Sequence, residues 1–357
     1  MSRRDPVTAT AAPPATGAPA ASVRSRPTLA WGLLAAGAVL VAVALLSVAV
    51  GSKSIPIGTV FDALRHYDPT VDDHVVIRDL RVPRTLLGLV VGASLGLAGA
   101  LIQALTRNPL ADPGILGINE GAGVGVLVAI GILGLTSPWA YVWFAFAGAA
   151  VSATLVYAVG ARGREGASPV RLVLTGIAFT YVLHAIGRAI MLTDTGTFDR
   201  WRNWMVGSLA SADPGVIVGV LPFVAAGVLI GLALTPSLNA LALGEEAGQA
   251  LGVHRGRTRA LGAVAVTLLC GAATAAAGPI AFVGLMVPYA ARMITGPDYR
   301  WLVPYSLVLA PILLLGADVV GRVLARPSEV GVGVVTAVVG APLLIALVRR
   351  RGKLPRL

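Results

Sequence analysis

Long apolar runs that alternate with short polar segments constrain this chain more than any other feature. Of its 357 residues, 56% are hydrophobic and 13% are charged, about half the charged share of an ordinary soluble domain. A bilayer core requires about 20 apolar residues per helix. That length identifies ten candidate transmembrane helices, at residues 29–50, 85–105, 114–133, 139–160, 171–192, 214–235, 258–277, 280–294, 301–321 and 333–348. The sequence therefore predicts an all-α, polytopic membrane protein.

The positions of the basic residues predict how these helices are oriented. The net charge is +11, and the Lys and Arg residues fall in short segments between the apolar runs. This distribution is a topology signal rather than a surface for nucleic acid. An even number of spans places both termini on one side. With the termini in the cytoplasm, about twice as many Lys and Arg residues lie inside as outside, as the positive-inside rule requires. We therefore expect both termini to be cytoplasmic.

The N-terminal residues differ in composition from the rest of the chain. Residues 1–27 are rich in Ala, Pro, Thr and Ser and contain too few apolar side chains to order themselves. We predict a disordered cytoplasmic tail there, followed by one transmembrane domain at residues 28–357. The run at 29–50 is too long for the apolar part of a signal peptide and lacks a convincing cleavage site, so it is interpreted as the first transmembrane helix.

The sequence contains none of the patterns expected of an enzyme. It has no G-x-x-x-x-G-K-[ST] phosphate loop, and its His, Cys and carboxylate residues do not occur at metal-ligand spacing. The single cysteine, Cys270, lies inside an apolar run, where a small buried side chain is expected. We therefore predict no catalytic residue, no bound metal and no cofactor in this chain.

Two arginines lie on the side of the membrane where the charge distribution does not favour them. Residues 81–84 read RVPR and directly precede the second apolar run, which places Arg81 and Arg84 outside. Near the outer end of the ninth run, Asp318 and Arg322 are four residues apart, a spacing typical of a local ion pair on a helix. The positive-inside rule does not explain why Arg81 and Arg84 lie outside, so we expect them to have another role.

The stretch at 236–259 is the longest of the polar segments predicted to be cytoplasmic between spans. Leucines at near-helical spacing surround Glu245 and Glu246, and Gly252 is a suitable C-terminal stop. We expect a short amphipathic helix here, which needs either a partner surface or the membrane interface. Two glutamates favour a cytoplasmic protein partner over anionic lipid.

The fifth apolar run carries two ionisable residues on one face. His184 and Arg188 are four residues apart, and ionisable groups at membrane depth usually face protein or a water-filled pathway. The alternative is structural, with a hydrogen-bonded His184 and an Arg188 that extends toward the outer surface. Small residues on the same run, such as Gly176, suit either a weakly interacting pathway or plain helix packing.

Two shorter segments carry local signals. Residues 193–213 include Trp201 and Trp204 and predict a short interfacial helix, which either anchors the chain at headgroup level or lines an outer vestibule. In the turn after the second run, Asp112 precedes Pro113 and is expected to cap the start of the third transmembrane helix.

Four blocks of the sequence resemble a known family. They are RVPRTLLGLVVGASLGLAGALIQALTRNPLADPGILGINEGAGVG at 81–125, LALGEEAGQALGV at 241–253, GPIAFVGLMVPYAARM at 278–293 and GVGVVTAVVGAPLLIALVRRR at 331–351. Together they are similar to the FecCD-type permeases of bacterial ABC importers, which take up iron chelates (ferric siderophores) and cobalamin. The blocks occur in the family's order, and the resemblance covers roughly residues 29–351.

The resemblance implies a fold, a function and partners. The expected fold is the ten-helix, type II ABC importer permease, which works as a homo- or heterodimer in the bacterial cell membrane. The expected partners are two cytoplasmic ATPase subunits, which would bind the ATP and Mg²⁺, and an extracytoplasmic substrate-binding protein. The expected function is uptake of ferric siderophores, because residues 197–209 look more like siderophore permeases than cobalamin permeases. Cobalamin or haem uptake is the alternative within the family.

The resemblance also assigns roles to residues. It implies that Arg81, Arg84 and Arg322 dock the binding protein. It implies ATPase coupling by residues of the 241–253 block, namely Leu243, Gly244, Glu245, Glu246, Ala247, Leu251 and Gly252. Gly176, His184 and Arg188 are candidates for the translocation pathway.

The chain departs from the family's pattern at two places. Tyr289 stands where the family often has His, and Glu329 is followed by Val330 and Gly331 instead of an apolar residue and proline. At both places the family's pattern therefore does not predict the local backbone and side-chain geometry.

Two other classes of function compete with this hypothesis. An ion-coupled secondary transporter would need acidic residues at mid-membrane, where only Glu120 comes near. A non-transporting membrane scaffold would need neither the outer arginines nor the helix expected at 236–259.

Overall fold

The computed structural model describes residues 26–135, 137–160, 169–192, 195–210 and 212–349. Most of the predicted N-terminal tail lies outside these residues, but its last two residues, Arg26 and Pro27, already belong to the first helix. Helices account for most of the described residues, and no β-strand occurs among them. The helices are α1 (Arg26–Ala49), α2 (Ile57–Arg65), α3 (Asp72–Val75), α4 (Val82–Thr106), α5 (Ile118–Leu127), α6 (Pro138–Gly160), α7 (Pro169–Met191), α8 (Thr195–Met205), α9 (Pro214–Ala242), α10 (Glu245–Ala250), α11 (Arg255–Ala277), α12 (Val283–Thr295), α13 (Tyr299–Leu324) and α14 (Val332–Arg349). The prediction of an all-α fold is confirmed.

The lengths of the helices fit a multi-pass membrane protein. Within the described residues, seven helical segments are long and apolar enough to cross a bilayer, and three shorter apolar helices accompany them. A π-helical turn at Val76–Arg81 joins α3 to α4, and another at Val128–Ile132 extends α5. Each of the ten predicted runs overlaps one of these helices. Helix α5 with its extension, α12 and α14 are the short ones.

Helix α4 lies at the centre of the bundle. Most of its residues are buried, and it packs against α9, α11, α12 and α13. Glycines four residues apart form its contact with α13. A Cβ atom at Gly92 would lie 2.6 Å from the Cα of Pro311, too close for any side chain. Small residues therefore allow the two backbones to touch, the usual basis of helix association in membranes.

The boundary between the seventh and eighth apolar runs, which the sequence left uncertain, is a tight reversal. Helix α11 ends at Ala277, and α12 begins at Val283. Gly278 has a φ of +74°, in the left-handed region that favours glycine, and Phe282 has a φ of +69°. The reversal lets α12 run back alongside α4.

Two local predictions need correction. Asp112 caps a 3₁₀ turn, Pro113–Leu116, by accepting a hydrogen bond of 2.8 Å from the Gly114 amide. Helix α5 starts only at Ile118, after Gly117 turns the chain with a φ of +66°. The predicted interfacial helix exists as α8, but Trp204 packs against the bundle core instead of standing free at headgroup level.

The predicted amphipathic helix at 236–259 is shorter than expected. Helix α9 continues to Ala242, so Leu238 and Leu241 belong to a membrane helix. Only α10, six residues long, forms a separate element. Gly252, with a φ of +80°, stops it as predicted.

Candidate functional site

A cluster of charged side chains lies where α1 and α13 end and α4 begins. Arg84 donates from Nε to the carboxylate of Asp318 at 3.0 Å and from Nη2 to Oδ1 of Asp318 at 2.7 Å. Its Nη1 donates to Oε2 of Glu329 at 2.6 Å. One guanidinium thus uses both of its edges on two carboxylates, which is the strongest geometry available to an arginine. These interactions tie α4 to α13 and to the turn before α14.

Arg322 extends the same cluster to α1. It pairs with Asp318, four residues before it, at 2.9 Å, so the predicted local ion pair is confirmed. Its Nη1 donates to the carbonyl oxygens of Ser47 and Val50 at 2.9 and 3.0 Å, and its Nη2 donates to the Ser47 hydroxyl at 2.7 Å. Asp318 therefore forms ion pairs with two arginines on different helices.

Arg81 closes the C-terminal end of α1. Its guanidinium donates to the carbonyl oxygens of Val48, Ala49 and Lys53, at 3.1, 2.7 and 2.5 Å. The last carbonyls of a helix have no partner within the helix and carry the negative end of its dipole. A guanidinium at this position supplies hydrogen-bond donors for the carbonyls and a positive charge for the negative end of the dipole. Arg81 is thus an integral part of the contact between α1 and the start of α4.

The burial of the three arginines corrects one expectation. The hypothesis of a docking site presents Arg81, Arg84 and Arg322 to the outside, but they are 4%, 8% and 1% exposed. The reason is the set of internal acceptors just described, which sequence reasoning did not pair with them. Asp318 was paired only with Arg322, and Glu329 was noted only for the residues that follow it. Whether the arginines dock a binding protein stays a prediction.

Glu329 is the accessible member of the cluster. Its side chain is 28% exposed, compared with 0% for Asp318, and it also accepts a hydrogen bond of 2.9 Å from the Ser52 hydroxyl. Burial raises the pKa of the Glu329 carboxyl, but the hydrogen bond and charge of Arg84 outweigh burial and hold its pKa below the usual range. The carboxyl is therefore ionised at neutral pH.

This pKa shift predicts a pH dependence of stability. A carboxyl with a lowered pKa stabilises the fold above its ordinary pKa of 4.5, and this contribution is lost as the pH falls through the folded-state value. Glu329→Gln should therefore lower the melting temperature at pH 7, and the gap to wild type should narrow progressively as the pH falls below 4.5. Thermal unfolding in detergent measures both. Glu246→Gln, at an exposed position, is the control; a gap that stayed constant with pH would contradict the assignment.

The cluster lines a positively charged cavity at this end of the bundle. The cavity has a volume of about 240 Å³, and its lining includes Lys53, Arg81, Arg84, Arg322 and Glu329. Among the described lining residues the cations outnumber the anions, so the cavity favours a negatively charged group. The structure thus brings together the three arginines that the sequence singled out.

The predicted coupling residues lie together at the opposite end of the bundle. Leu243 and Leu251 flank α10 and are 72% and 64% exposed. Glu246, Ala247 and Gly252 are exposed as well, while Gly248 packs on Leu241. Gly244, with a φ of +118°, joins α9 to α10. A short helix with exposed leucines at both ends is suited to receive a partner surface.

The pathway candidates on α7 are only partly brought together. Nε2 of His184 lies 2.7 Å from Oε2 of Glu120 on α5, a pairing that sequence reasoning missed although it singled out both residues. Arg188 is exposed, whereas Gly176 is buried. Helix α7 leaves a broad apolar face uncovered, including Leu174, Tyr181 and Val182.

Within the described residues, no group of three or more His, Cys, Asp and Glu side chains could hold a metal ion.

Comparison with known proteins identifies the family. Residues 39–350 match the profile of the FecCD transport family. The chain belongs to the FecCD transport family. The resemblance drawn from its sequence blocks is thereby confirmed, and so is the family's permease architecture.

Individual members of the family match over most of their length. The ferric enterobactin transport system permease protein FepD of Escherichia coli (strain K12) is 45% identical over 307 residues, which covers 86% of this chain and 91% of that protein. The iron(3+)-hydroxamate import system permease protein FhuB of Bacillus subtilis (strain 168) is 37% identical and covers 86% of this chain and 80% of that protein. The cobalamin import system permease protein BtuC of Halobacterium salinarum is 33% identical and covers 90% of this chain and 96% of that protein.

A solved structure agrees with this assignment. A metal-chelate type ABC transporter in an inward-facing conformation superposes with a TM-score of 0.77 at 27% identity, covering 91% of this chain and 99% of that chain. The chain is therefore a multi-pass permease of the ABC importer type.

The two departures from the family's pattern fit the structure. Tyr289 is buried in α12. A Cβ atom at Gly331 would lie 2.6 Å from Cγ1 of Val206 and 3.1 Å from the carbonyl oxygen of Gly207. The residue after Val330 thus sits where the chain leaving α8 passes closely, and a glycine there avoids the clash.

Proposed function

We propose that this chain is the membrane-spanning permease of an ABC importer that takes up ferric siderophores. The observation that carries the proposal is the match at 45% identity, over 86% of this chain, to a ferric enterobactin permease. Permeases for hydroxamate and citrate chelates of iron are 32–39% identical to this chain and the cobalamin permease is 33% identical, so the choice of substrate rests on the enterobactin match. Cobalamin is the second candidate.

Uptake by the reconstituted transporter tests the substrate. The permease, its ATPase and its binding protein are placed in proteoliposomes and offered a ferric catecholate, a ferric hydroxamate, ferric citrate and cobalamin. We expect ATP-dependent uptake of at least one ferric siderophore and none of cobalamin. Uptake of cobalamin alone would overturn the choice of substrate but leave the permease assignment intact. Uptake driven by an ion gradient without ATP would overturn both.

We propose that α10 and its flanks receive the motion of two cytoplasmic ATPase subunits, which bind ATP and Mg²⁺. The residues concerned are Leu243, Gly244, Glu245, Glu246, Ala247, Leu251 and Gly252. The exposed leucines at both ends of α10 support this role, because a surface of that kind gains by burial against a partner. The chain itself would need no cofactor. The permease partner, a copy of this chain or a related one, would cover the apolar face of α7, and the substrate would pass beside His184 and Arg188.

We propose further that the outer cavity docks the substrate-binding protein by carboxylate exchange. Arg84 already holds the partly exposed Glu329, and Arg81 and Arg322 line the same cavity. A carboxylate on the binding protein would displace Glu329 from Nη1 of Arg84 while Asp318 remains in place. Exchange keeps Arg84 paired with two carboxylates throughout, which simple exposure of the arginines would not achieve.

Removing the internal competitor should strengthen docking. With Glu329→Gln, we expect the binding protein to associate about tenfold more tightly, since hydrogen bonds to charged groups contribute about 1.5–3 kcal/mol and the competing one is weakened. Surface plasmon resonance on permease in nanodiscs measures the affinity. Asp79→Asn, which removes an outer carboxylate bonded to Tyr67 at 2.7 Å, is the matched control. Unchanged or weaker docking of Glu329→Gln would rule out exchange.

A further inference from the structure

A second arginine site lies at the end of the bundle opposite the outer cavity. Arg292, in the last turn of α12, is 2% exposed. Its Nε, Nη1 and Nη2 atoms are buried and find no hydrogen-bond acceptor in the part of the chain that the structure describes. The guanidinium rests against the ring of Tyr299, with Cζ 5.5 Å from the ring centroid. A cation–π contact of this kind offsets only a small part of the cost of burying a charge.

Arg292 faces a cavity that is built from several membrane helices. The cavity has a volume of about 240 Å³ and lies between the C-terminal end of α4, the α9–α10 turn and the start of α13. Arg107 and Tyr299 line it together with Arg292, and Leu238 and Leu241 supply apolar wall. Arg107 donates to the carbonyl oxygen of Leu241 at 3.3 Å. No carboxylate side chain occurs among the described lining residues.

The chemistry of this lining calls for an oxyanion. A buried guanidinium is stabilised when its N–H groups meet a planar or tetrahedral group of oxygens, and its fork matches phosphate especially well. Two arginines on one cavity raise the positive potential further. The cavity is several times larger than the roughly 30 Å³ that one water molecule occupies in the liquid. A phosphate group therefore fits, with room for apolar atoms beside it.

The position of the cavity points to the source of the phosphate. It lies at the end of the bundle that carries α10, which the charge distribution places in the cytoplasm. Basic cavities between transmembrane helices at that level suit the headgroups of anionic lipids, and tyrosines are common there. The apolar wall of Leu238 and Leu241 suits the glycerol and acyl carbons that follow the phosphate. We propose that this cavity binds the phosphate of an anionic phospholipid of the cytoplasmic leaflet, with Arg292 as its main ligand and Arg107 as the second.

The wall nearest α10 allows the headgroup to enter. Leu243 and Gly244 form this wall, and a Cβ atom at Gly244 would meet no heavy atom within 4 Å. There is thus open space on this side of the turn, and the proposal includes a shift of the turn that brings the Arg292 nitrogens into contact with the phosphate. Because the same turn leads directly into α10, lipid binding would set the position of the proposed ATPase contact. This consequence rests on the proposed coupling role, whereas lipid binding itself does not.

Lipid binding is tested on the purified full-length permease in a neutral detergent. Wild type, Arg292→Gln, Arg292→Lys and the control Arg300→Gln, an exposed arginine at the same end, are titrated with phosphatidylglycerol, phosphatidylcholine and inorganic phosphate. Native mass spectrometry counts bound lipid, and thermal unfolding reports stabilisation. For wild type and Arg300→Gln we expect phosphatidylglycerol to be retained in preference to phosphatidylcholine. For Arg292→Gln we expect affinity about tenfold or more weaker, since hydrogen bonds to charged groups contribute about 1.5–3 kcal/mol.

Each other outcome overturns the proposal. Stabilisation by inorganic phosphate without preference for phosphatidylglycerol would assign the site to free phosphate. Equal retention of both lipids by wild type would exclude anionic lipid, and this result does not depend on any variant folding. Equal loss of lipid in Arg292→Gln and Arg300→Gln would show a diffuse charge effect. Affinity retained by Arg292→Gln would exclude Arg292 as the ligand, and Arg292→Lys separates the need for charge from the need for the fork.

Discussion

Asp318→Asn is expected to destabilise the permease by about 3–5 kcal/mol, the cost of breaking a buried ion pair by removing one partner. Asp318 is completely buried, accepts a hydrogen bond of 2.7 Å from Arg84 and forms an ion pair of 2.9 Å with Arg322. Without its charge, two guanidinium groups share one carboxylate, Glu329, which accepts from Arg84 and from the Ser52 hydroxyl. The loss should appear as a large fall in the melting temperature of the purified protein.

A surface ion pair supplies the matched control for this prediction. Asp199 and Arg202 are three residues apart on α8, lie 3.3 Å from each other and are both well exposed. Asp199→Asn removes one carboxylate in the same way but should cost no more than about 1 kcal/mol, since exposed pairs are screened by solvent. Equal shifts in the two variants would show that the outer cluster does not hold α1, α4 and α13 together.

Leu243→Asp combined with Leu251→Asp is expected to abolish uptake while leaving the permease folded. Both leucines are exposed beside α10, so a carboxylate at either position meets water in the isolated permease and costs its fold little. In the assembled transporter it would be buried against the ATPase, where an unpaired charge costs several kcal/mol. We expect the ATPase to stop co-purifying and uptake in proteoliposomes to fall to background.

The control for this variant is Leu64→Asp, another exposed leucine on a helix outside the predicted spans, at the end of the bundle opposite α10. It should leave ATPase association unchanged. Retained ATPase association and uptake in the Leu243/Leu251 variant would remove α10 from the proposed coupling surface. Retained association with lost uptake would restrict its role to the transmission of motion.

Much of this architecture could be predicted because hydropathy is a local property. Each of the ten apolar runs overlaps a helix, and α8 and α10 lie inside the segments where short helices were expected. The errors are also local in origin. Leu238 and Leu241 continue α9 because nothing in the sequence before Gly244 stops that helix, and its proline at 236 does not break it.

The hydrogen-bond and ion-pair partners of the charged side chains could not be predicted in the same way. The sequence correctly paired Asp318 with Arg322, because that pair is four residues apart on one helix. It did not pair Arg84 with Asp318, which is 234 residues away, or with Glu329, which is 245 residues away. The acceptors of Arg81 are backbone carbonyls, which carry no sequence signal at all.

The sequence by itself thus determined the helices, their expected orientation and the family, since each depends on composition along a continuous stretch of chain. Only the tertiary structure decided where the charges go. Arginines placed outside by the charge count turn inward, because the ends of α1 and α13 bring carbonyl and carboxylate oxygens within hydrogen-bonding distance. Arg292 lies near the end of the eighth predicted run, where sequence reasoning assigned it no role, and the structure encloses it without an acceptor in the described chain. Burial depends on which helices meet, and that information is not local.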